Sequence, residues 1–182
     1  KVDENVIENE IKESDEMKED KETSAKLKEE TENTVEVKEE KISNMIEKIT
    51  YKKRTLALIV RGKYRNKKGV TFFTPKNSTQ QFGYMKHGKK YIIKPHLHKK
   101  RLTKILYTTE VILILKGILR VDFYKVSKKY LFSKILKTKD IIMLVHGGHG
   151  FKVLKNVEMI EVKQGPYSLS GDKIKFDEVN EK

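Results

Sequence analysis

From Tyr51 to Lys163 the chain is a succession of runs rich in Val, Ile, Leu, Tyr and Phe, each four to nine residues long and separated by turn residues. That rhythm constrains the fold more than any other feature. β-Branched and aromatic side chains suit a pleated, half-buried surface, and frequent turn residues stop any run from reaching helical length. The spacing predicts strands at 54–61, 70–74, 80–87, 90–95, 108–115, 119–126, 130–136, 141–145, 149–154 and 158–163. The turns between them fall at 66–69, 74–77, His87-Gly88, Lys116-Gly117, Lys139-Asp140 and Gly147-Gly148. Ten short strands without a crossover helix predict an all-β domain, either a sandwich or a closed barrel.

The first fifty residues are a different kind of chain. They hold 17 acidic and 9 basic side chains, a net of −8, and no aromatic residue, whereas residues 51–182 hold 31 basic and 9 acidic, a net of +22. Such a segment buries too little apolar surface to offset the entropy lost on ordering, so it is predicted to be a mostly disordered extension. Near its end, Ile42, Met45, Ile46 and Ile49 fall at helical spacing and predict a short amphipathic helix over 38–50. The predicted division is an acidic extension at 1–50, a barrel at 51–176 and a tail at 177–182.

The chain has no cysteine, which removes disulfides, thiolate ligands and a cysteine nucleophile together. No run approaches the roughly twenty apolar residues of a membrane span. The chain starts at Lys1 rather than Met, as a trimmed or processed chain does, and a cytoplasmic location is expected. The basic body suits an anionic small molecule. In the whole chain 35 lysines stand against 5 arginines, and they are spread through turns and strand ends, so nucleic acid is not an expected partner.

Four residues carry the chemistry. On a strand, residues two apart point to the same face, so His96 and His98 would share one space. Glu110 has the parity of Ile112 and Ile114, which puts a carboxylate on an apolar face, and a cation is the simplest way to neutralise it there. His149 follows a glycine turn and shares its parity with Phe151 and Val153, with Lys152 on the other face. Three imidazoles and one carboxylate form a mixed N/O set suited to Fe, Mn, Ni, Zn or Co rather than to Mg or Ca. His146 competes for the place of His149. His87, before Gly88, reads as a surface turn residue. Gln164, Tyr84 and Lys94 are candidates to orient the histidines, and Lys94 and Lys163 to attract an anion.

These residues resemble the motifs of the cupins, G-x5-H-x-H-x3-4-E-x6-G and G-x5-P-x-G-x2-H-x3-N. The chain reads KPHLHKKRLTKILYTTEVILILKG and then KTKDIIMLVHGGHGFKVLKN. His96 and His98 match the first pair, Glu110 to Gly117 matches E-x6-G, and His149 matches the histidine of the second motif. The similarity covers about residues 80–165. It implies a double-stranded β-helix, or jelly-roll, barrel in which His96, His98, Glu110 and His149 hold a divalent metal ion. The segments VDFY, GGHGF and EMIEVKQGPY are similar to small cupins associated with surface-polysaccharide gene clusters, which implies a carbohydrate-related role. The chain departs from the pattern in placing eleven residues, Lys99 to Thr109, between His98 and Glu110, and in reading Thr138-Lys139-Asp140 and His146-Gly147-Gly148 where the second motif has its prolines.

The resemblance implies metal-assisted chemistry on a small polar molecule, a sugar or a carboxylate, of isomerase, decarboxylase or dioxygenase type. The alternative is a barrel that binds a sugar or nucleotide-sugar without metal or without turnover. A homodimer is the expected assembly, because an open sheet edge invites pairing. A phosphate-binding loop, a dinucleotide fingerprint and a nucleophile elbow are all absent from the sequence.

Overall fold

The computed structural model describes residues 45–166, 171 and 173–177, together with the backbone of 37–43. The chain divides into two compact units, Lys1–Lys38 and Glu39–Lys182. Of the acidic extension at 1–50 predicted to be mostly disordered, residues 1–36 and 44 lie outside the described residues.

The described residues form nine strands and no helix. They are β1 (Val37–Ser43), β2 (Ile46–Tyr51), β3 (Arg54–Val60), β4 (Gly69–Phe72), β5 (Gly83–Lys86), β6 (Glu110–Tyr124), β7 (Tyr130–Lys137), β8 (Ile141–Leu144) and β9 (Gly148–Lys163). The principal sheet is antiparallel, with order β1-β2-β3-β8-β6-β7 and β9 on the other side of β6, while β4 and β5 form a separate hairpin. The sheet curls strongly into a half-barrel.

The helix predicted over 38–50 is not formed; β1 and β2 occupy that stretch. Ile46 and Ile49 are both buried, at 5 % and 1 % exposure, yet they pair with Val60 and Ala57, which belong to different apolar clusters. Two isoleucines three apart imitate a helical stripe, but here they fill opposite faces of one strand.

Burial on both faces explains the unbroken apolar runs. On β3, Ala57 and Ile59 join one cluster while Leu58 and Val60 join the other. On β8, Ile142 and Leu144 join the first and Met143 the second. The first cluster lies inside the curl with Ile112, Ile114, Leu119, Val121 and Phe123 of β6. The second lies outside it under Tyr64, Phe73 and Phe82, whose rings meet edge-on at 5.2–5.3 Å. Burying each large side chain contributes about 1.5–3 kcal/mol.

Lys116-Gly117 is not a turn between two strands. β6 runs through it, and two predicted strands become one of 15 residues. Gly117 sits at φ +92, and a Cβ there would lie 2.0 Å from the Asn156 carbonyl oxygen, so only glycine allows β9 to approach. The pairing shifts register around this point, and the inward face changes from Ile112 and Ile114 to Leu119, Val121 and Phe123, from even to odd positions. The two predicted strands at 149–154 and 158–163 likewise form one, β9.

The strand predicted at 90–95 is absent, and residues 87–109 follow an irregular path. Tyr91, Ile92 and Ile93 are consecutive, so a strand there would need cover on both faces; all three are more than half exposed.

A buried ion cluster locks the β7–β8 turn against β3. Asp140 accepts from Arg61 Nη1 at 2.9 Å, from the Gly62 amide at 2.8 Å and from the Lys137 amide at 3.0 Å. Arg61 also contacts Glu47 at 2.5 Å and donates to the Ile135 carbonyl at 2.8 Å. Burial works against the Arg61 charge, and the bonds with Asp140 and Glu47 outweigh it, raising its pKa.

Candidate functional site

Glu110 opens β6 beside Leu144, the last residue of β8, and is only 4 % exposed. Five residues past Leu144, after a turn through His146 and Gly147, His149 stands second in β9. Gly147 takes φ +82, and a Cβ there would lie 2.9 Å from the Tyr124 carbonyl oxygen, so this tight return needs glycine. His149 Nε2 lies 3.0 Å from Glu110 Oε2. Lys173 Nζ, from a segment near the C-terminus, lies 3.1 Å from the other carboxylate oxygen.

The hydrogen bond with His149 does most to lower the Glu110 pKa from 4.5 to about 2, and Lys173 reinforces it against the opposing effect of burial. The same contact raises the Lys173 pKa, chiefly through its hydrogen bond to Glu110. An ionised carboxylate only accepts hydrogen bonds, so His149 donates through Nε2–H in this contact.

The pair lies in the wall of a cavity of about 780 Å³ at the open end of the curl. Tyr107, Tyr124, His146, Phe151 and Phe176 share that wall. Tyr107 meets His146 edge-on at 5.0 Å, Phe176 meets Tyr124 at 5.1 Å, and His149 meets Phe151 at 5.4 Å. The lining is therefore largely aromatic and aliphatic, and the Glu110–His149–Lys173 group is joined there by Lys175 and Asp177, a combination expected of a small-molecule pocket. His146 Nε2 lies 3.4 Å from Arg54 Nη1, and burial, followed by that guanidinium, lowers its pKa.

Two of the four expected ligands meet and two do not. Glu110 and His149 are in contact, with the parities expected of them. His96 and His98 stand exposed on the irregular 87–109 segment, with ring centroids 5.3 Å apart, and His96 Nδ1 lies 3.0 Å from the Lys94 carbonyl oxygen. Among the described residues no three His, Cys, Asp or Glu side chains converge on one point. As donors, Glu110 and His149 suit a cation, and the Lys173 ammonium already places positive charge against the carboxylate.

The other candidates fall in different places. Gln164 Oε1 accepts from the Thr109 amide at 2.8 Å, fixing the entry to β6 one residue before Glu110. Tyr84 packs against Tyr64 at 5.2 Å, on the hairpin outside the curl. His87 stacks on Tyr91 at 4.1 Å. Lys163 pairs with Glu110 across the β6–β9 ladder. Sequence reasoning missed Lys173, Tyr124 and Phe176. Tyr124 breaks the odd-numbered parity of the inward face beyond Gly117, and Lys173 is one lysine among many, so neither carries a local signal.

No helix of the described residues is long and apolar enough to cross a membrane. Comparison with family models, with curated proteins and with solved structures gives no match.

Proposed function

We propose that this protein is a metal-binding barrel of the cupin kind, acting on a small polar molecule that carries a carboxylate, phosphate or sugar hydroxyls. The observation that supports it is the 3.0 Å contact between Glu110 and His149, a carboxylate oxygen and an imidazole nitrogen from separate strands on an aromatic-lined cavity. In this reading Glu110 and His149 hold a divalent ion of the Fe, Mn, Ni, Zn or Co group. His96 and His98, which the motif resemblance adds to the set, stand exposed on the 87–109 segment and would have to move to reach it. When bound, such an ion polarises a carbonyl or hydroxyl of the substrate.

The chain's own groups do the rest. Glu110 is ionised throughout the physiological range and needs no deprotonation before it binds a cation. The contact with Glu110 puts the His149 proton on Nε2, so ligation through that nitrogen would require the other tautomer. With a cation on Glu110, Lys173 would be available to an anionic group of the substrate. The aromatic walls exclude water and hold the substrate's apolar edges.

A second reading keeps the same pocket without metal. The Lys173 ammonium on Glu110 favours it, because the carboxylate is already neutralised. The pocket then binds a sugar or nucleotide-sugar, with Glu110 and His149 bonding to hydroxyls.

Metal analysis and calorimetry on chelator-free protein separate the two. The first reading expects one divalent ion per chain, with uptake lost in Glu110→Gln and His149→Ala and weakened in His96→Ala. A chain that takes up no ion at pH 7.5 yet binds a nucleotide-sugar overturns the first reading and supports the second.

A further inference from the structure

Every residue from 88 to 108, on the irregular path between β5 and β6, is exposed. The stretch is apolar as well as bare. Ile92, Ile93, Leu97, Leu102 and Leu106 are each more than half exposed, and Leu97 and Leu102 stand at 96 % and 105 % of a free residue's surface. A run of large aliphatic side chains in water marks a surface that something covers. The same stretch is strongly cationic. Between His87 and Thr109 there are six lysines and one arginine, and no Asp or Glu. Among the described residues none of these seven cations forms an ion pair.

We propose that the 87–109 segment docks this protein on the surface of an anionic lipid bilayer, with its lysines on the headgroups and its leucines and isoleucines in the acyl boundary below them. The two properties restrict the partner in different ways. Cations with no anion among them require a surface of opposite charge. Bare aliphatic side chains spread along an irregular chain lack the fitted shape of a protein interface, whereas a fluid acyl boundary accepts them in any arrangement. Nucleic acid fits less well. Its readers stack bases on aromatic rings and arginines, while this segment holds one arginine and its most exposed groups are leucines. Tyr91 stands beside Ile92 and Ile93, and Tyr107 beside Ile105 and Leu106. An aromatic ring with a polar tip takes that place at headgroup level. Leu106 and Tyr107 also line the cavity that holds Glu110 and His149, so docking brings that cavity close to the bilayer surface. The docking itself does not depend on what the cavity binds.

The test is cosedimentation of the full chain with vesicles of phosphatidylcholine alone and of phosphatidylcholine mixed with phosphatidylglycerol. The expected result is binding to the mixed vesicles only, weakening as salt rises. A chain of net charge +14 is attracted to any anionic surface, so position decides the outcome. Lys99→Glu with Lys100→Glu should weaken binding about tenfold or more. Lys67→Glu with Lys68→Glu, the same change of net charge on the turn before β4, should weaken it no more than about twofold. Leu97→Ser with Leu102→Ser keeps the charge and should again cost about tenfold or more. The chain has no cysteine, so Leu102→Cys takes a single environment-sensitive dye, whose emission should shift to the blue on the mixed vesicles. Circular dichroism on the same samples excludes unfolding as the cause of any loss. Failure to bind the mixed vesicles overturns the proposal. So do equal losses from the two lysine pairs, indifference to the leucine pair, or an unshifted dye on bound protein. Binding to duplex DNA as tight as to vesicles and indifferent to the leucine pair would also overturn it and assign the segment to nucleic acid.

Discussion

Glu110 and His149 touch at 3.0 Å although the β6–β9 ladder places His149 opposite Phe123, at the far end of β6 from Glu110. A straight strand of that length would separate the two ends by roughly 45 Å. The contact therefore requires β6 to curl back on itself. Gly117 lies at the midpoint of the strand, where the register shifts and the inward face changes parity. The glycine that closes the E-x6-G pattern is thus what allows the carboxylate at one end of the strand and the imidazole beyond the other to meet.

Gly117→Ala should destabilise the protein by at least about 2 kcal/mol, because φ +92 strains any other residue and the new Cβ meets the Asn156 carbonyl. Chemical denaturation of the variant checks this. Unchanged stability would show that β6 can curl without the bulge.

Glu110→Gln should cost about 1–3 kcal/mol at pH 7, since it removes a charged acceptor and leaves Lys173 facing an uncharged amide. The pH dependence has a definite sign. The folded-state pKa, about 2, lies below the ordinary 4.5, so the unfolded chain takes the proton first as pH falls. The contribution is complete above about pH 4.5 and is lost as pH falls towards 2. Thermal melts of both proteins from pH 7 to 2.5 should show their difference shrinking across that window; a constant difference would remove the ion pair as its source.

Asp140→Ala should destabilise the protein by about 1–3 kcal/mol, because it removes one of the two carboxylates that Arg61 contacts and strips the acceptor from two backbone amides. Urea unfolding measures the cost. Asp140→Asn should recover only part of the loss, since an amide keeps an acceptor but not the charge.

His146 should titrate below the ordinary 6.5, first through burial and then through Arg54. Imidazole resonances followed by NMR report the midpoint. Arg54→Ala should raise it, whereas a midpoint that stays put would leave burial as the only cause.

The legibility of the chain differs from element to element. The strands at 54–60, 130–137 and 141–144 could be read from side-chain type alone. Ile46 and Ile49 misled, because spacing in sequence does not reveal which face of a strand is covered. The inward parity of Glu110 and His149 was visible because a strand has a period of two. That they touch was not, since contact depends on how far β6 bends. For His96 and His98 the alternation argument needed a strand, and the irregular segment that carries them leaves both exposed.

By itself, the sequence determined an all-β domain with a carboxylate and an imidazole directed into an apolar interior, because side-chain shape, turn residues and strand periodicity are local properties. Only the tertiary structure decided that residues 46–51 join the sheet, that Gly117 bends one long strand rather than separating two, and that Lys173 lies against Glu110. Each of these depends on which distant backbone supplies the partner hydrogen bonds and the covering surface, and a local pattern carries no information about that.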